Sequence, residues 1–167
     1  MKKIALLLAI AFSFALSSSA MSLKEAYKAL SNIPNISVNR EFNSPLLGLF
    51  ENADISMASS LNESQIAESG TAVLTILNQV PLTRMINGGN NNHVGAFVYA
   101  SPDSKDGIYE TLVVLMSGKL GDITVIYGGI SQAAKNALQS APLTMTADTI
   151  RIHTILPDGT DFNIEAE

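Results

Sequence analysis

The chain has 167 residues, a formal net charge of −5 and no cysteine. The missing thiols exclude a disulfide framework and a thiolate zinc site. The acidic balance disfavours nucleic acid and anionic membrane surfaces as partners.

The first 20 residues differ in kind from the rest. Lys2 and Lys3 give a positive start, Ile4 to Leu16 is apolar but for Ser13, and Ser17, Ser18, Ser19 and Ala20 form a small-residue exit. This pattern predicts a cleavable signal peptide over 1–20, with Ser18 and Ala20 at the two positions where a signal peptidase accepts only small side chains. The run falls short of the roughly 20 apolar residues of a membrane span. No cysteine follows it to carry a lipid. The expectation is therefore export to the periplasm or beyond, with no stable membrane insertion after cleavage. The remaining 147 residues suit a single domain over 21–167. Two of the 10 basic residues and none of the 15 acidic ones lie in the leader, so the domain carries a net −7.

Ser22 to Ser31 reads as a helix, with Ser22 and Glu25 spaced as a capping box and Pro34 ending the segment. Residues 35–60 carry weaker signals. Ile36-Ser37-Val38 predicts a brief strand, and Pro45 to Phe50 an apolar loop closing over the core. Asn62 to Val80 is the strongest helix, capped by Asn62 with Gln65 three residues on. Gly70 inside it suggests close packing against a sheet or a kink. Asn87-Gly88-Gly89-Asn90-Asn91-Asn92 has turn chemistry, because glycine and asparagine both reach left-handed backbone.

Three strands follow: His93 to Ala100, Ile108 to Met116 and Ile123 to Tyr127. Their short links, Pro102 to Gly107 and Ser117 to Asp122, predict an antiparallel meander. Leu112 to Met116 is continuously apolar, which predicts a central strand covered on one side by helices and partly on the other. Gly128-Gly129 is expected to break the third strand. Ser131 caps a short helix through Gln139. Ile150 to Leu156 and Thr160 to Ile164 form a last hairpin around Pro157-Asp158-Gly159. The predicted class is α+β: an antiparallel sheet made of a central three-strand meander plus the C-terminal hairpin, with helices packed on one face.

Candidate chemistry is sparse. Asn87, Asn90, Asn91, Asn92 and His93 form the candidate ligand-binding set, since amides offer the donors and acceptors that a sugar or peptide requires; an ordinary turn explains the same residues. His93 and His153 are too few for a histidine zinc site. No serine lies in a Gly-x-Ser-x-Gly elbow. Asp103 with Asp106, and Asp158 with Asp161, read as turn acids. Gly128-Gly129 ahead of Ser131 could cradle an anion, though a strand-to-helix turn uses the same residues. Met57, Met85, Met116 and Met145 read as core fillers. Asn35 and Asn62 begin formal glycosylation sequons. No catalytic residue, metal or cofactor is assigned.

Met21 to Pro34, Ile76 to Pro81, Met85 to Asn92 and Val113 to Gly118 resemble a group of small exported Bacteroidetes proteins carrying a domain of unknown function. The resemblance implies a Gram-negative envelope or secreted location and carries no activity with it. The leading expectation is a non-enzymatic binding or interaction domain for a glycan, a peptide or an envelope protein. One alternative is a small envelope hydrolase acting on glycan or peptide with His93 or His153. The other is an assembly protein pairing through an exposed strand of the meander.

Overall fold

A computed structural model describes residues 20–41, 44–89, 93–146, 149–156 and 158–166. The expected leader, apart from Ala20, lies outside the described residues, as do Asn90, Asn91, Asn92 and Pro157.

The chain opens with helix α1, Leu23–Ser31, and both halves of its capping box form: Ser22 Oγ accepts from the Glu25 amide at 3.2 Å, and the Glu25 carboxylate accepts from the Ser22 amide at 2.8 Å. Strand β1, Ser37–Val38, is followed by a 3-10 helix, Pro45–Leu49, and strand β2, Phe50–Ala58. Helix α2, Glu63–Leu77, has the Asn62–Gln65 box at its start and runs unbroken through the buried Gly70. Strands β3, Ile86–Gly89, β4, Gly95–Ala100, β5, Ile108–Ser117, and β6, Asp122–Ser131, precede helix α3, Gln132–Ser140. Strands β7, Leu143–Met145, β8, Ile150–Ile155, and β9, Asp161–Ala166, complete the chain.

The class is α+β, but the predicted sheet is corrected. There are two antiparallel sheets: six strands in the order β1-β2-β6-β5-β4-β3, and three in the order β7-β8-β9. The expected meander is only the middle of the larger sheet, and the C-terminal hairpin belongs to the smaller one. Helices α1 and α2 cover one face of the large sheet, where Leu30, Val73 and Leu77 meet Phe97, Leu112, Val114 and Val125. The opposite face is covered by the small sheet and α3, where Val98, Val113 and Ile126 meet Leu138, Ile152 and Phe162. Two cores therefore sit on either side of one sheet. That is why β4 is buried along its whole length and why Leu112 to Met116 is apolar without alternation.

Three local expectations are also corrected. β2 was not foreseen. Asn87 to Gly89 is strand, paired Asn87 to Phe97 and Gly89 to Gly95, not turn. β6 does not break at Gly128-Gly129 but continues to Ser131, pairing with both β2 and β5. The register of β2 shifts between Phe50 and Asn52, and the Asn52 carbonyl occupies the space that a Cβ on Gly128 would need. Glycine here accommodates a neighbouring backbone rather than ending a strand.

Candidate functional site

After Ile33 the chain leaves the helical layer and joins the edge of the large sheet. Pro34 stops the helix, Asn35 takes a left-handed φ of 73°, and the Ile36 amide turns back to the Ile33 carbonyl at 3.0 Å. Ile36 is buried and anchors the segment. Ser37 then pairs with Met57, Val38 with Ser56, and the Asn39 amide donates to the Ile55 carbonyl at 2.9 Å. Asn39 fixes the far end: its Nδ2 reaches Met57 Sδ at 3.0 Å and its Oδ1 accepts from the Glu41 amide at 2.8 Å. Beside this edge lies an open cleft of about 650 Å³, lined by Asn35, Ser37, Val38, Asn39, Arg40 and Glu41 with Met57 to Ser59 as its floor. The lining combines amides, hydroxyls, one cation and one carboxylate around an apolar strip. Val38 is 64% exposed. The sequence predicted the brief strand at Ile36 to Val38, and Ser37–Val38 is one, but Ser-Val-Asn-Arg-Glu carries no motif that marks a binding cleft.

The predicted ligand set is only partly visible. Asn87 lies on β3, exposed, and its Oδ1 accepts from Arg84 Nη1 at 2.8 Å. The same guanidinium donates to Tyr99 Oη at 2.6 Å and to Asn78 Oδ1 at 2.8 Å, and lies 5.0 Å from the centre of the Phe97 ring. Asn87 is thus part of a clamp joining the end of α2 to the sheet. His93 is half-buried just ahead of β4, against the backbone position of Gly118.

His153 belongs to the other sheet, on the outer face of β8, where its Nε2 is 2.8 Å from Asp161 Oδ1 with both side chains more than half exposed. Arg151 pairs with Glu165 beside it at 2.9 Å. The two histidines therefore do not converge. Among the described residues no three His, Asp or Glu side chains gather as a metal site. Met116 is fully buried, Met57 and Met85 pack partly buried against the inter-sheet core, and Met145 is 42% exposed.

On the helical side a polar line crosses the sheet. Tyr27 Oη and Ser31 Oγ both hydrogen-bond Ser56 Oγ, at 3.0 and 2.8 Å, and Tyr27 stacks on Tyr127 with centroids 5.5 Å apart. Tyr127 Oη donates to Glu110 Oε1 at 2.8 Å. Burial, then the Glu110 hydrogen bond and charge, then Asp54, hold the Tyr127 phenol far above its ordinary 10.0. A phenol so placed is a hydrogen-bond donor and not a base.

Among the described residues no helix is long and apolar enough to cross a membrane. Compared with protein-family models, curated proteins and solved structures, the chain matches none of them.

Proposed function

We propose that the chain is an exported binding domain, acting in the periplasm or outside the cell after loss of residues 1–20, with its ligand site in the cleft beside β1. One observation carries this reading: an open cleft of about 650 Å³ whose walls mix amide, hydroxyl, charged and apolar groups along a sheet edge. Such a lining suits a ligand with alternating polar and apolar parts. The meander cannot supply the pairing edge that an assembly protein would need, since β4 and β6 each have neighbours on both sides.

The test is chemical-shift mapping of the 21–167 protein with pools of short glycans and capped peptides. Shifts are expected to concentrate at 35–41 and 57–59 and to weaken in Arg40→Ala. An Asn90→Ala, Asn91→Ala pair, which alters the loop that sequence favoured, should bind as well as the parent. Perturbations confined to residues 87–93 would overturn the cleft in favour of that loop. N-terminal sequencing of the native protein should begin at Met21; a chain beginning at Met1 would overturn the export reading.

A further inference from the structure

We infer that folding closes the leader-cleavage site, so that residues 1–20 are removed only from a chain whose first helix has not yet docked; this rests on the export reading above. The scissile amide of that reading joins Ala20 to Met21. A signal peptidase adds water across it, leaving a carboxylate on Ala20 and an ammonium on Met21. Such an enzyme reads Ser18 and Ala20 in pockets for small side chains. Clefts of this kind take a peptide as extended chain, recognised along its main chain. Met21 and Ser22 must therefore run on past the reacting carbonyl as free, extended residues.

In the folded protein neither residue is free. Ala20 is exposed, but Met21 is only 7% accessible and belongs to the same core as Leu30, Ile66 and Val73. Met21 stands immediately before the N-cap Ser22, and Ala26, in the first turns of α1, is fully buried in that core. Those are the two positions of a hydrophobic staple, which fixes the angle at which a chain enters a helix. Ser22 is tied along its backbone and side chain. Its amide donates to the Glu25 carboxylate at 2.8 Å, its hydroxyl accepts from the Glu25 amide at 3.2 Å, and its carbonyl accepts from the Ala26 amide at 2.9 Å. The chain thus passes from an exposed residue to a core residue in one step, with no linker between the cut and the fold. Drawing Met21 and Ser22 into a protease cleft breaks the capping box and empties a place in the core. Cleavage of the folded chain then proceeds only through the small population in which the start of α1 has opened. The order of events follows. The leader is cut while the chain is still unfolded, and α1 docks afterwards, taking the new terminus into the core. A precursor that folds first keeps its leader.

The test uses the whole precursor, residues 1–167, in detergent micelles with purified signal peptidase. One sample meets the enzyme on dilution from urea, the other after circular dichroism shows that it has folded. The folded precursor is expected to be cut about tenfold more slowly, or slower still. A flexible Gly-Ser spacer of about six residues between Ala20 and Met21 is expected to erase that difference. Met21→Ser with Glu25→Ala, which loosens the staple and the capping box together, is expected to narrow it. A folded precursor cut as fast as the unfolded one would overturn the closure and leave export standing. An unfolded precursor that is not cut after Ala20 would overturn the export reading and this inference with it. A second measurement needs no leader. The 21–167 protein carrying the spacer ahead of Met21, treated with a broad-specificity aminopeptidase, should lose the spacer and stall at Met21. Trimming that runs on into α1 while the protein stays folded would also overturn the closure.

Discussion

Ser56 is fully buried, and its hydroxyl is the meeting point of Tyr27 and Ser31. Ser56→Ala leaves two hydroxyls beneath α1 without their shared partner, and a loss of about 1–3 kcal/mol is expected in urea denaturation at neutral pH. Tyr127 makes a different prediction. Its native proton is held more tightly than in the unfolded chain, so the contribution is complete below the unfolded value of 10.0 and is lost as the pH climbs above it. Tyr99 is shifted in the same direction by burial, partly offset by Arg84. Stability measured at pH 9, 10 and 11 should therefore fall steadily, and Tyr127→Phe should flatten the fall. An unchanged slope in that variant would contradict the assignment.

At the scale of single elements, the two capping boxes are local devices that work as their residues dictate. Asn62→Ala is expected to cost about 1 kcal/mol in thermal denaturation, since the Gln65 amide in the first turn of α2 loses its side-chain acceptor. The Ser22 hydrogen bonds keep the Glu25 carboxyl below its ordinary 4.5. Their support of α1 is present above that pH and fades as acid protonates the group. Both helices and their caps were legible because a cap is a contact between residues three apart. β2 was not. Phe50 to Asp54 is mostly exposed, and its buried members, Ile55, Ser56 and Ala58, include a serine whose polarity is satisfied only by α1. β3 was misread for a related reason. Asn and Gly favour turns by local conformation, whereas pairing with β4 and the packing of Leu143 over Gly88 override that preference.

At the scale of the molecule, one sheet serves two cores. Phe162 is 0% accessible and lies in the core between the two sheets. Phe162→Ala is expected to cost about 3–5 kcal/mol by leaving a cavity in that layer. Calorimetry should show one cooperative transition moved to lower temperature, because the large sheet relies on the small one, with α3, to cover one of its apolar faces. Survival of the large sheet with only the C-terminal hairpin melted would contradict that interdependence. The predicted α+β class anticipated α1 and α2 on one face, but it put α3 on that face too, whereas α3 packs on the other, and it put the hairpin in the wrong sheet. Strand content is a local property, whereas membership of one sheet or another depends on which edge a strand meets.

By itself the sequence determined the helices with their caps, the tight links between β4, β5 and β6, and the burial of β5, since each follows from periodicity or from contacts only a few residues long. The tertiary structure alone decided that there are two sheets, that Gly128 sits beneath a neighbouring carbonyl, and that β1 borders an open cleft. Those features come from segments far apart in the chain, and the interactions that create them leave no trace in the order of residues along any one segment.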